Sequence, residues 1–566
     1  METIEKDRLV REIQDLKLKY GSNRDALLPI LQDLQEKYRY LPGIIMQEVA
    51  FALGIKPVEV EGVVSFYSFF RSKGKYGKYV IRLCQTVSCD LAAKKEIAEK
   101  LCQELGISFG ETTKGDLFTL EYTNCLGMCD QAPALMINEH LIAKVTADQI
   151  PGIIKDCING FEYSKFPLTV KSKVEKSGPI INHGLKNGES LSLALKLSPE
   201  KIISLIEASH LKGRGGAGFP TATKWKAASK AQGNTKYIVC NADEGEPGTF
   251  KDRYLLEQHI DVLLDGMAIA AYTIGAQKGF IYLRGEYLYL KEHIAKAIDQ
   301  KTQNGYLGDS ILDKPDFHFF IEIRMGAGAY ICGEESALIE SLEGKRGEPR
   351  NRPPFPVEKG YQSMPTVVNN VETFLDVALI CAKGSDWFLK YGTDKSTGTK
   401  IFSVSGDCKR PGIYELPFGT TISELLKEVG GEGAKAVQVG GASGECVHQK
   451  DFGHRLAYED IPSGGSIIVF GTNRDMLEVA KNFMEFFVDE SCGQCTPCRE
   501  GNVKLLDGII QLQEGRCSPT HLNDLKKLAN TIKISSRCGL GQTSPNPFLS
   551  ILENFEDEFR RDNGNT

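Results

Sequence analysis

The stretch ESCGQCTPCREG constrains this chain more tightly than any other. It spaces Cys492, Cys495 and Cys498 with two residues between neighbours, so three thiols share one short loop. Three thiolates that close can take three corners of a cubane, and the fourth ligand must come from elsewhere in the fold. Cys538, in the glycine-rich turn SSRCGLG, is the candidate. Cys517 is nearer in sequence but stands in EGRCSPT, ahead of a helical pattern. The spacing predicts a [4Fe–4S] site, with zinc as the alternative.

A second group has a different rhythm, Cys84-x4-Cys89 and then Cys125-x3-Cys129. Both pairs follow predicted strands, where turns can aim several thiolates at one point. Structural zinc more usually shows paired C-x2-C knuckles, so the unequal spacings favour [2Fe–2S] over zinc. The remaining eight of the sixteen cysteines are scattered, and a scattered cysteine reads as a small buried apolar residue. Clustered thiols suit a reducing compartment. The opening METIEKDRLVREIQDLKLKY is charged throughout, unlike a signal peptide. No apolar run approaches the roughly 18 residues that span a bilayer. A cytoplasmic protein, not itself transmembrane, is expected. A net charge of −6 offers no basic excess for nucleic acid.

At 566 residues the chain exceeds one core. Leu27, Leu31, Leu34 and Tyr38 recur at helical spacing and open a helical N-terminal unit over 1–75. Over 76–160 the order is strand KYVIRLC, helix LAAKKEIAEKLCQELG, strand LFTLEYT, a hairpin turning at Asn138-Glu139, and a last helix, which suits a thioredoxin-like domain. Residues 161–195 are polar and weakly patterned, and read as a linker. Over 196–395 strands such as KYIVCNA, GFIYLRG and FHFFIEIRM alternate with helices, implying a larger α/β domain. Residues 396–475 read as a β-grasp-like module with one helix at TISELLKEVG, and 476–566 as a helical domain.

Within the α/β domain, LKGRGGAGFPTATKW holds Gly213, Gly215, Gly216 and Gly218, and matches G-x-G-x-x-G. A Rossmann fingerprint needs a strand before the glycines, whereas PEKIISLIEASHL reads as a helix, so that assignment fails. Glycines still let backbone N–H groups close on a phosphate, with Arg214 and Lys224 supplying charge. Next comes VCNADEGEPGTFKDR, whose Asn241, Asp243, Glu244 and Glu246 suit ribityl or ribose hydroxyls, or form a solvated acidic turn. GAGAYICGEES repeats the arrangement, small residues before Glu334 and Glu335, and PTVVNNVET adds Asn369 and Asn370. Four polar loops in one domain imply a pocket for a flavin and a second nucleotide.

On GRGGAGFPT, CNADEGEPGTFKDR, GAYICGEES, PTVVNNVET and ESCGQCTPCREG the chain resembles the NADH-oxidising flavin subunit of respiratory complex I, joined at its front to that enzyme's small [2Fe–2S] subunit. A fusion in this order is most similar to the diaphorase subunits of NAD-reducing bidirectional [NiFe] hydrogenases. The resemblance implies a multidomain α/β and α fold: N-terminal helices with a thioredoxin-like [2Fe–2S] domain, a Rossmann-like FMN and NAD(H) domain lacking the usual fingerprint, a β-grasp-like domain, and a C-terminal helical bundle with [4Fe–4S]. It implies FMN held by Gly213, Arg214, Gly215, Gly216, Lys224, Asn241, Asp243, Glu244, Gly333, Glu334, Asn369, Asn370 and Thr373. It implies NADH stacked over the flavin against Phe219, Glu246, Tyr330, Glu335 and Phe355, with Glu246 positioning the nicotinamide. Two positions depart from the family pattern: Ala222 follows FPT where glycine is usual, and YQSMPT replaces the glycine-bearing G-x-P-T.

The implied chemistry is hydride transfer between nicotinamide and flavin, followed by single-electron transfer to a cluster, with no protein acid or base required. Carboxylates at Glu246 and Glu335 should disfavour a 2′-phosphate, hence NAD(H) over NADP(H). The sequence carries no pair of C-x2-C motifs near its two ends that could hold a nickel–iron centre, so partners are expected: further iron–sulfur subunits and a hydrogenase or another redox module. The alternatives are a fused input subunit of a complex I-like, NAD-dependent formate dehydrogenase or electron-bifurcating complex, and a zinc-stabilised nucleotide-binding scaffold without redox activity.

Overall fold

A computed structural model describes residues 5–160 and 171–556. Parts of the expected linker (161–170) and of the expected helical domain (557–566) lie outside the described residues. The chain opens with helices Lys6–Tyr20, Leu27–Tyr38, Gly43–Leu53 and Pro57–Phe66. Leu27, Leu31 and Leu34 are buried on one face of the second helix, which ends where Arg39 turns left-handed (φ 68°), ahead of Pro42. This unit also packs on the α/β domain. The Tyr67 hydroxyl lies 2.8 Å from Ser341 Oγ, and Gln32 Nε2 donates to the Gly326 carbonyl at 3.1 Å.

Strands β1 (Tyr79–Cys84), β2 (Phe118–Thr123), β3 (Ala134–Ile137) and β4 (His140–Ala143) form a sheet in the order β2-β1-β3-β4. Helices Lys94–Leu105 and Ile150–Ile158 cover it, packing Ile97, Leu101, Ile150 and Ile153 onto its apolar face. The thioredoxin-like order expected from sequence is present.

The described part of 161–195 is not a linker. β5 (Val174–Lys176) joins a distant sheet, and helix Glu189–Ala194 buries Ser190, Leu191 and Ala194 against the α/β domain. The backbone N–H groups of Gly178, Ile180 and Ile181 all donate to the Glu415 carboxylate at 2.8–2.9 Å.

In the α/β domain β6 (Tyr237–Ala242), β7 (Lys278–Leu283), β8 (Phe320–Met325) and β9 (Thr366–Asn370) are parallel, in the order β8-β7-β6-β9. The first strand of the domain therefore lies between the second and the fourth. Helices Ile260–Ile274 and Val371–Lys383 are buried along most of their length, as parallel sheets require. The glycine cluster precedes β6 and follows helix Pro199–Ala208, so the missing fingerprint strand is absent from the fold too.

β10 (Thr399–Gly406), β11 (Gly412–Pro417), β12 (Ala436–Val439), β13 (Glu445–His448) and β14 (Ser466–Phe470) complete a six-stranded sheet, β13-β12-β14-β10-β11-β5. Its helix, Ile422–Val429, starts in a Thr421–Glu424 capping box and stops at left-handed Gly430. Helices Met476–Glu490, Thr496–Gln513, Pro519–Ser535, Gly539–Thr543 and Asn546–Asn554 follow. Among the described residues no helix is long and apolar enough to cross a membrane.

Candidate functional site

Because β6 to β9 are parallel, all four strands end at one edge of the sheet. Ligands of such sheets bind where the connections diverge, here between β6 and β9. Cys240 pairs with Asn369 and Asn241 with Asn370 at that point. The sequence-predicted residues gather around it. Asn241 Nδ2 donates to the Gly333 carbonyl at 2.8 Å, and Trp225 Nε1 to Asn369 Oδ1 at 2.9 Å. A Cβ on Gly215 would lie 3.3 Å from Asn370 Cβ, and one on Gly333 3.4 Å from the Asp243 carbonyl.

Several side chains face inward rather than toward the loop surface, against expectation. Arg214 is fully buried: its Nε meets Asp376 at 2.8 Å and its Nη2 donates to the Thr397 carbonyl at 2.9 Å. Its backbone N–H donates to Thr373 Oγ1, and its carbonyl accepts from Lys400 Nζ, both at 2.9 Å. Desolvation of an unpaired guanidinium is costly, so the charge is spent on Asp376, and Arg214 offers the loop surface only main chain. Lys224 is engaged with Glu335 at 2.8 Å and with the Val368 carbonyl at 3.0 Å.

Glu244 also turns inward. Its carboxylate accepts the Asp252 and Arg253 N–H groups at 2.7 and 3.0 Å, capping the start of helix Lys251–Gln258, and the Tyr287 hydroxyl at 3.0 Å. Burial pushes it up to about 7, with the nearby Asp252 adding to the rise. Glu334 caps helix Glu335–Leu342, and Asn370 caps Val371–Lys383.

Sequence reasoning passed over the ions beneath the loop. Lys251 and Lys400, both buried, flank Glu372; Lys251 Nζ is 2.9 Å from it. Burial alone would raise Glu372, but Lys251, Lys400 and Arg214 overcome it and hold the carboxyl at about 2. Lys251 and Asp252 stood within the quoted TFKDR; Lys400, in a strand of another module, carried no local signal. Ser363, where the family pattern has glycine, adopts φ 61°.

The nucleotide-side candidates cluster as well. The Tyr330 hydroxyl donates to Glu246 Oε2 at 2.6 Å, and the Tyr330 N–H to Glu490 Oε2 at 2.8 Å. Burial raises Glu246, with Tyr330 and Ser443 opposing the rise. Phe219 and Phe355 are about half exposed. Asp243 Oδ2 is buried without a hydrogen-bond partner, an orphaned acceptor of the kind a flavin imide or hydroxyl would satisfy.

Cys84, Cys89, Cys125 and Cys129 are all buried at the ends of β1 and β2. The Cys125 and Cys129 sulfurs are 3.3 Å apart, Cys84 Sγ lies 3.3 Å from Thr86 Oγ1, and the Cys84 charge reaches both Cys89 and Cys129. Four buried thiols in adjoining turns fit the corners of a two-iron cluster. This loop lies against the α/β site. Gly127 is left-handed (φ 71°), and a Cβ there would meet the Tyr287 hydroxyl at 2.1 Å, so only glycine fits. Arg284 donates to the carbonyls of Cys125 (2.5 Å) and Glu244.

Cys498 Sγ accepts from Asn502 Nδ2 at 3.4 Å and feels the charges of Cys495, Cys538 and Cys492. Cys517 is outside this group, its thiol turned to the Ser518 carbonyl. Burial pushes Cys498 up to about 12 and Cys538 up to about 11, a penalty that a bound cationic centre removes. The Glu334 charge reaches Cys538, so this site too adjoins the α/β pocket.

Residues 206–379 match the Nuo51 FMN-binding domain, 13–158 the thioredoxin-like [2Fe–2S] ferredoxin, 401–445 the SLBB domain, and 478–562 the NADH-ubiquinone oxidoreductase-F iron–sulfur binding region. The chain is 43% identical over 562 residues to NAD-reducing hydrogenase HoxS subunit alpha of Cupriavidus necator, covering 96% of this chain and 92% of that protein. It is 42% identical over 373 residues to an NADH-quinone oxidoreductase subunit of Rhizobium meliloti, covering 64% of this chain and 88% of that one. A crystal structure of NAD+-reducing [NiFe]-hydrogenase in the H2-reduced state superposes with a TM-score of 0.88 at 35% identity, covering 94% of this chain and 92% of that chain. The chain belongs to the family of the HoxS alpha subunit, NADH-oxidising flavin oxidoreductase subunits that carry FMN, a [2Fe–2S] cluster and a [4Fe–4S] cluster on one polypeptide.

Proposed function

We propose that this chain is the nucleotide-handling end of a larger redox assembly, with an NAD-reducing [NiFe] hydrogenase as its partner, working in the cytoplasm. Bound FMN supplies the exchange between a hydride pair and single electrons. The chain's own residues bind and orient. Asp243 offers its open Oδ2, Asn241 and Gly333 brace the loop behind it, and Phe219 and Phe355 present rings for stacking. Glu246, fixed by Tyr330, orients the nicotinamide carboxamide. Glu335, beside Lys224, sets a carboxylate where a 2′-phosphate would bring further negative charge, favouring NAD(H). The eight clustered cysteines hold the two clusters.

The observation that carries this reading is Arg284, which ties the Cys125 carbonyl to the Glu244 carbonyl and so holds a cluster loop against the flavin loop. The sixteen free cysteines support a reducing compartment. Native purification under anaerobic conditions tests the proposal. The expected result is NADH-dependent dye reduction with hydrogenase and further iron–sulfur subunits co-eluting. Formate dehydrogenase or complex I-like subunits in their place would refute the hydrogenase partner, and flavin binding without dye reduction would refute the enzymatic role.

A further inference from the structure

The turn Gly440–Ser443 joins β12 to β13, in a different module from the strands that build the pocket, yet it closes on Glu246. The Ser443 N–H donates to Glu246 Oε1 at 3.1 Å, and Ser443 Oγ to Oε2 at 2.9 Å. With the Tyr330 hydroxyl on Oε2, the carboxylate is gripped from two sides and cannot rotate freely. The approach is close. A Cβ on Gly441, itself left-handed at φ 67°, would stand 2.6 Å from Glu246 Cγ. The turn is braced from behind: Gln438 Nε2 donates to the Gly441 carbonyl at 2.7 Å, and Asn546 Nδ2 to the Ser443 carbonyl at 2.9 Å.

The same module supports the glycine loop. The Tyr458 hydroxyl donates to the Gly213 carbonyl at 2.7 Å, Lys400 Nζ to the Arg214 carbonyl, and Gly464 packs on Gly215 and Gly216. A free-standing domain would have no reason to present main chain and hydroxyls to both loops at once.

We propose that the β-grasp-like module is the back wall of the nucleotide site and that Ser443 is its positioning residue, fixing Glu246 to receive the nicotinamide carboxamide of NAD(H). The proposal rests on the reading of Glu246 given above.

The test uses the full chain loaded with its cofactors, compared by NADH-dependent dye reduction as wild type, Ser443→Ala, Ser443→Thr, Glu246→Gln and the Ser443→Ala/Glu246→Gln double variant. Ser443→Ala removes one donor and leaves the Tyr330 hydroxyl and the Ser443 N–H on Glu246, so a partial loss of orientation is expected: a KM for NADH raised about threefold to tenfold, with kcat and flavin content within about twofold. Ser443→Thr restores KM, because the hydroxyl is kept. The double variant is no worse than Glu246→Gln alone, because both changes remove one interaction. Gly441→Ala, which pushes the turn away, reproduces the KM effect by a second route. An unchanged KM in Ser443→Ala, in a protein where Glu246→Gln raises it, overturns the role of Ser443 alone. An unchanged KM in Glu246→Gln overturns the role of Glu246, and this proposal with it.

Discussion

The Arg214 guanidinium meets the Asp376 carboxylate at 2.8 Å, and each side chain is only 1% exposed. Truncating one partner of such a pair strands the other charge in the interior, at a cost of about 3–5 kcal/mol. Arg214→Ala is therefore expected to lower the melting temperature and release FMN more readily, read as flavin fluorescence on heating. Asp376→Asn, which leaves the buried guanidinium without its counter-ion, should cost at least as much, because Asp376 can take up a proton when unpaired and a guanidinium cannot shed one. An Arg214→Ala protein as stable as wild type would remove the pair from the account of the loop.

Cys538 stands within the electrostatic reach of Cys498, and Cys517 does not. Cys538→Ser is expected to abolish or alter the reduced [4Fe–4S] signal in electron paramagnetic resonance and to lower the iron content. Cys517→Ser should leave both unchanged.

Glu335 lies 2.8 Å from Lys224 and 3.5 Å from Arg352. Removing its carboxylate takes a negative charge away from Lys224, while Arg352 keeps its ion pair with Glu334, so Lys224 is the cation left to meet a phosphate. Glu335→Ala is expected to raise kcat/KM for NADPH about tenfold, equivalent to roughly 1.4 kcal/mol. No gain in NADPH turnover would count against this residue as the selectivity determinant.

Glu244 titrates near 7 in the folded chain because burial resists its charge. Below the ordinary carboxylate value, near 4.5, both folded and unfolded chains are protonated there, and the group has no effect on stability. Between about 4.5 and 7 the folded chain holds a proton that the unfolded chain releases, so stability falls as pH rises, by up to about 3 kcal/mol in total. Glu244→Gln lacks this slope. The melting temperature of the variant should gain on wild type from about pH 5 to about pH 7.5; parallel profiles would refute the shift.

Secondary structure and the presence of two iron–sulfur modules were legible because their signals are local. Leu27, Leu31 and Leu34 show their period within one helix, and Thr421 with Gly430 brackets another. Thiols two residues apart announce a cluster wherever the loop sits. What stayed hidden depends on partners far along the chain. Arg214 in a glycine loop reads as a phosphate contact until Asp376, on a helix 162 positions later, claims it. Glu244 reads as a ligand until the helix it caps is seen to begin at Lys251. Ser443 is one serine in a small-residue turn, and only tertiary packing sets it on Glu246. Family resemblance named the loops, but it did not say which side chains face inward.

β5 is three residues long, yet it occupies the edge of the six-stranded sheet beside β11. An engineer wishing to divide this polypeptide into two separately expressed pieces would thus need to keep Val174–Lys176 with the rear piece. A break after Lys176 would strip that border strand from the rear piece, leaving β11 with unsatisfied main-chain groups and an opening for self-association.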